Sequence, residues 1–178
     1  MLQAQMDLLV IEAQSGNSKA FECLVEYFQP ILNKFARSLS SNSGIADDAV
    51  QEAWITISRK VRALNDPRAF KGWLFRTVRW RLLDLAKSYP KNHASYELVE
   101  ESHSETLSQP LNEDELVNRE LKQAIAQLAP TERSVIHLFY LAELSVVEIG
   151  YVLDIPEGTV KSRLSRARKL LKQLIASE

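Results

Sequence analysis

Apolar residues recur every three or four positions through most of this chain, and polar breaks cut the pattern into helix-length pieces. Phe21, Leu24, Val25, Phe28, Ile31, Leu32, Phe35 and Leu39 form one such stripe, with Asn17 or Ser18 as its cap and Pro30 expected to bend it. Cys23 falls inside this pattern and is expected in the core. Ser40 to Gly44 is a turn cluster, a second helix follows from about Ile45 to Leu64, and Asn65-Asp66-Pro67 breaks it. A third helix runs from about Phe70 to Lys87. After a bridge without apolar period, helices are expected over Asn112–Leu128 and Thr131–Leu141, then two more before Ser177. The fold expected is all-α, two small helical domains joined by a flexible linker: residues 1–87, a linker 88–111, and a four-helix domain 112–178.

The last two helices carry the strongest local signal. Ser145 with Glu148 three positions on makes a capping box, and Val147, Ile149, Val152 and Leu153 give the first helix its apolar face. Asp154 stands at the turn, where a short polar side chain tolerates left-handed backbone, and Pro156 suits the first turn of the next helix. Val160, Leu164, Ala167, Leu170, Leu171 and Leu174 form the expected buried stripe of that helix. Lys161, Arg163, Arg166, Arg168, Lys169 and Lys172 follow one another in it with no acidic residue between them. Across the whole chain 22 basic residues face 23 acidic ones, so this run is a local feature. Two short helices, a tight turn and a basic second helix describe a helix-turn-helix expected to lie against nucleic acid.

Composition narrows the remaining choices. Of 178 residues, 46% are apolar and only five are glycine, which suits a helical globular protein. No apolar run reaches the length of a membrane span, and the first residues lack the form of a signal peptide, so no membrane insertion is expected. The lone Cys23 has no internal disulfide partner, which fits a reducing cytoplasm. His93, His103 and His137 lack metal-ligand spacing, and there is no phosphate loop or nucleophile motif. No enzyme activity, cofactor or metal is expected.

The third helix is unusual in cross-section. Leu74, Val78, Arg81 and Leu85 share one side, while Arg76, Arg79, Trp80 and Leu83 share the other, bordered by Trp73. Residues 59–87 hold nine basic side chains against Asp66 and Asp84. Aromatic rings stack on unpaired bases and arginines hold phosphates, so this face suits opened strands better than an intact duplex. The second helix starts with the opposite sign: Asp47, Asp48, Gln51 and Glu52. Asp47 and Asp48 complement the helix dipole, but Gln51 and Glu52 lie beyond that effect, and DNA would repel the patch. It is a candidate protein-docking site. The 24-residue bridge reaches about 80 Å when extended, enough for two DNA sites about 70 Å apart.

Three segments in order, GIADDAVQEAWI, FKGWLFRTVRWRLLDLAK and LAPTERSVIHLFYLAELSVVEIGYVLDIPEGTVKSRLSRARKLL, resemble the small two-domain sigma factors of bacterial RNA polymerase. These are the extracytoplasmic-function (ECF) type of the sigma-70 family, and the similarity spans about Gly16 to Leu174. The resemblance implies a promoter-specificity subunit working in the cytoplasm by binding rather than by chemistry. Core RNA polymerase, through its clamp helices and flap, promoter DNA and an anti-sigma factor are its implied partners. Asp47, Asp48, Gln51 and Glu52 would meet the clamp helices. Leu64, Asn65, Asp66, Arg68, Phe70, Trp73, Arg76, Thr77, Arg79 and Trp80 would recognise and melt the −10 element, with Trp73 as a wedge and the loop Leu64 to Ala69 taking a flipped-out base. Thr159, Lys161, Ser162, Arg163, Ser165, Arg166 and Lys169 would read or hold the −35 element. Trp80 stands where the family commonly has Asn.

Two other classes remain on the residues alone. A stand-alone helix-turn-helix regulator would need a dimerisation or ligand-sensing domain, where this chain has an acidic patch and interleaved aromatics. A sigma mimic that titrates an anti-sigma factor would need no DNA-reading residues, yet both basic faces are present.

Overall fold

In the computed structural model, residues 2–88 and 113–175 are described, with side chains of the second segment from 120 onward. The described residues are helical, without strands. The first unit holds α1 (Gln3–Gln14), α2 (Ser18–Leu39), α3 (Ser43–Lys60) and α4 (Phe70–Ser88). The second holds α5 (Glu113–Ala126), α6 (Pro130–Ile136), α7 (Val146–Leu153) and α8 (Glu157–Ile175). The expected bridge 88–111 lies outside the described residues after Ser88, which ends α4.

Asn17 caps α2 by accepting from the Ala20 amide, and Asn42 caps α3 by accepting from Ile45. The α2 helix runs unbroken through Pro30. Its buried line is Ala20, Leu24, Phe28, Leu32, Phe35 and Ala36, at the spacing that brings side chains onto one face. The small residues Ala46, Ala49 and Ala53 let α3 pack closely, and α4 adds Phe70, Leu74, Phe75 and Val78. Phe75 meets Phe35 and Phe28 edge-on, at ring distances of 5.4 and 6.3 Å. Truncating such a ring, as in Phe28→Ala, removes about 3–5 kcal/mol of stability.

Cys23 is exposed, contrary to expectation. It projects away from the Leu24–Phe28–Phe35 line, and the apolar run is simply wider than the face that α3 and α4 cover.

In the second unit the capping box is present: Ser145 Oγ accepts from the Glu148 amide, and a Glu148 carboxylate oxygen accepts from the Ser145 amide at 2.7 Å. Asp154 adopts the left-handed conformation at φ 56°, ψ 49°, as its position demanded. Beside it, a Cβ on Gly150 would sit 3.0 Å from the Ile155 carbonyl oxygen, so a larger residue there would have to ease the turn slightly open. The helix expected over Thr131–Leu141 is α6 followed by one wider π-type turn, His137–Leu141, ended by Ala142 donating to the His137 carbonyl. Val160, Leu164 and Ala167 are buried as expected, whereas Leu170 is 38% exposed and Val147 is 62% exposed. Both stand at the edge of their stripe, beyond what the neighbouring helices cover.

The two units touch. α4 packs against α7, and α2 packs against α6 and the turn after it. Lys71 Nζ donates to the Glu143 carbonyl at 2.9 Å, and Arg76 donates to the Tyr151 carbonyl at 2.8 Å. His137 is half-buried here. Its burial, with the Arg133 and Lys34 charges, pushes its imidazole down to about 4 against a hydrogen bond to the Lys34 backbone. His137 Nδ1 and Arg133 Nε are buried without a partner.

Candidate nucleic-acid interface

The loop after α3 is shaped from both sides. Gln14, 50 residues earlier than Leu64, donates its amide to the carbonyls of Val61 (3.0 Å) and Leu64 (2.6 Å). Asp66 accepts from the Arg68 amide and, through both oxygens, from its guanidinium at 3.1 Å. These hydrogen bonds from Arg68 hold the Asp66 carboxyl below its usual range and raise Arg68. Arg68's fork is therefore engaged locally, while Asn65 is exposed and Leu64 half-buried.

Along α4 the expected split holds in part. Trp80 is 56% exposed, and Trp73, Arg76, Thr77 and Arg79 are half-buried. Phe70, which the resemblance placed among the −10 residues, is wholly buried against Phe28 and Trp73. Phe70 supports the Trp73 ring from below, 6.4 Å away, and is not itself accessible. Thr77 turns its hydroxyl back to the Trp73 carbonyl. The Arg76 guanidinium lies between two rings, 4.1 Å from Tyr151 and 5.9 Å from Trp80. Sequence reasoning missed this neighbour: Tyr151 lies on the exposed edge of α7 with Val147, and only the docking of α7 on α4 reveals the pairing.

The acidic face of α3 divides. Asp47 is paired with Arg37 at 3.1 Å through both oxygens and so turns towards α2. Asp48 and Gln51 are exposed, and half-buried Glu52 lies 4.0 Å from Arg81, which also donates to Thr56. Ile55, 45% exposed, follows Gln51 by one helical turn and adds an apolar spot to the patch.

On α8, Lys161, Ser162, Ser165, Arg166 and Lys169 are exposed, whereas Thr159 and Arg163 are half-buried. Arg168 belongs to a different side: it donates to the Tyr140 hydroxyl at 2.9 Å and lies 5.2 Å from the Phe139 ring. Arg166 donates to Glu132, a buried carboxylate of α6, at 3.2 Å. Burial would raise the Glu132 carboxyl, but hydrogen bonds from Thr131, its own backbone and Arg166 hold it below the usual range.

An aromatic and arginine-rich helix in one unit, with a helix-turn-helix in the other, is a design for two separate nucleic-acid contacts. Sigma-70 region 2 matches residues 24–89, and sigma-70 region 4 matches residues 118–171. The ECF RNA polymerase sigma factor SigW of Bacillus subtilis is 31% identical, over 91% of this chain and 92% of its own. The ECF sigma-E factor of Escherichia coli K12 is 33% identical, over 92% of this chain and 91% of its own. Among solved structures, the sigma factor RpoE of Bartonella quintana, in complex with the anti-sigma factor NepR, superposes with a TM-score of 0.65 at 27% identity. That match covers 89% of this chain and 98% of the other. CnrH, in complex with the cytosolic domain of CnrY, shares the fold with a TM-score of 0.62 at 24% identity, over 98% and 99% of the two chains. The class is thus a sigma-70 transcription initiation factor. Within it, this chain belongs to the ECF family of RNA polymerase sigma factors, which are promoter-specificity subunits and not enzymes.

Proposed function

We propose that this chain binds core RNA polymerase in the cytoplasm through α3, opens promoter DNA with α4 and the loop before it, and anchors the duplex upstream with α8. The observation that carries this reading is the exposed Trp80 beside Arg76 and Arg79 on a helix whose other side already completes a core. Rings left in water beside cations suit bases that have left the stack.

The roles divide by position. Asp48, Gln51, Glu52 and Ile55 form the polymerase-docking surface, with Asp47 fixing the start of α3 through Arg37. Trp73 wedges the upstream edge of the bubble, Trp80 stacks, and Arg76, Thr77 and Arg79 hold the strand. Leu64 to Ala69 receives the flipped base, its walls set by Gln14 and the Asp66–Arg68 pair. Lys161, Ser162, Ser165 and Arg166 face base edges in the −35 major groove, while Thr159, Arg163 and Lys169 face phosphates. An anti-sigma factor would regulate the chain, as NepR is bound by the Bartonella protein.

Permanganate footprinting of the reconstituted holoenzyme on a cognate promoter tests this division. Reactive thymines around −10 are expected with the wild type and should disappear with Trp73→Ala while upstream protection stays. Loss of both signals together would contradict the division.

A further inference from the structure

Arg166 is exposed over 67% of its side chain, yet one of its nitrogens is tied to Glu132, a carboxylate only 6% exposed. Acidic groups are rarely buried so fully without a partner that needs them. The helix dipole at the start of α6 explains why a negative charge is tolerated there. It does not explain why Oε1 is aimed at a side chain 34 residues on, in α8. The other oxygen, Oε2, accepts from the Thr131 hydroxyl at 2.7 Å. The carboxylate is therefore fixed from both ends, and the rest of the Arg166 fork is left to face outward.

We infer that Glu132 is a positioning residue: it presets the Arg166 guanidinium on the outer face of α8, and so sets how sharply that helix discriminates between duplex sequences. The inference rests on the reading of Arg166 as a base contact. A long arginine loses rotamer freedom when it docks, and a base contact needs its planar fork in one orientation. Anchoring one nitrogen in the free protein removes much of that ordering from the binding step. Arg168 shows the contrast, since its guanidinium is turned back onto Tyr140 and Phe139.

The test uses the full chain and duplexes carrying each single-base change across the −35 element. It compares wild type with Glu132→Gln, Thr131→Val, Arg166→Ala and the double variant Glu132→Gln/Arg166→Ala. Thr131 is exposed, so its variant keeps the test valid should Glu132→Gln lose stability. Glu132→Gln should lose about 5–10-fold in discrimination, only at the base position that Arg166→Ala relaxes, as expected for directly coupled residues. Thr131→Val should lose less at that same position. In the Arg166→Ala background, Glu132→Gln should add nothing. An equal loss on every duplex, or a full Glu132→Gln effect in the Arg166→Ala background, would show a structural role and overturn the proposal. Relaxation by Arg166→Ala with both Glu132→Gln and Thr131→Val silent would overturn the positioning role alone. If Arg166→Ala relaxes no position, the base-contact reading falls and takes the proposal with it.

Discussion

Arg76 of α4 holds Tyr151 of α7 twice, donating a 2.8 Å hydrogen bond to its carbonyl and stacking 4.1 Å from its ring. One side chain thus belongs both to the face assigned to strand opening and to the contact between the two units. While Arg76 holds Tyr151, one of its nitrogens and one face of its guanidinium are taken up by the contact between the units. Replacing Arg76 with Ala removes, between the units, one hydrogen bond from a charged donor and the cation–π contact to Tyr151, together worth about 2–4 kcal/mol. Small-angle scattering should then show a more extended protein, with Tyr151→Ala giving a smaller change because the backbone hydrogen bond survives. An unchanged scattering profile in both variants would mean that Lys71 and the α2–α6 contact hold the pair alone.

Trp80→Ala removes a ring that is 56% exposed, so its effect on thermal stability should stay within about 0.5 kcal/mol. Affinity for single-stranded −10 DNA within the holoenzyme should fall by about 1–3 kcal/mol, the usual worth of a base stack. A large drop in stability with no change in DNA affinity would return Trp80 to a packing role.

The α3 patch predicts a charge effect without a fold effect. Asp48→Arg should weaken binding to core polymerase by at least tenfold, about 1.4 kcal/mol, with unchanged helicity by circular dichroism. Asp47→Asn should affect binding less, because Asp47 is turned to Arg37. Equal losses would mean that both aspartates face the polymerase.

His137 supplies a pH dependence of known sign. Its imidazole sits at about 4 in the folded, docked protein, from an ordinary 6.5, chiefly because it is buried beside Arg133 and Lys34. The unfolded chain therefore takes up the proton first, and stability is full above about 6.5 and falls as pH drops towards 4. At pH 5 the loss from this one group is about 2 kcal/mol. Urea unfolding of the wild type and His137→Gln at pH 7 and pH 5 checks it, the variant being less sensitive to the drop. Identical pH dependence would clear His137 of the effect.

Local chemistry was legible in the sequence, and coverage was not. The Ser145–Glu148 box, left-handed Asp154 and the Val160–Leu164–Ala167 stripe all follow from residues within two helical turns of each other, and all are present. Cys23, Leu170 and Val147 were misplaced because each lies at the margin of an apolar arc, whereas Phe70, named for the −10 contact by the resemblance alone, is in the core. Which margin is buried depends on the helix packed against it, and single-helix periodicity carries no record of that neighbour. Glu132–Arg166 and Arg76–Tyr151 escaped for the same reason: their partners lie 34 and 75 residues apart along the chain.

Together α3, α4 and α8 are proposed to make this chain's promoter-specificity function. Run-off transcription with core polymerase and a genomic promoter library tests it most directly. Transcripts are expected only when the protein is added, from promoters sharing one −35 and one −10 sequence, and should be lost with Asp48→Arg or Trp73→Ala. Core polymerase that is bound by the protein yet starts at no promoter in the library would contradict it.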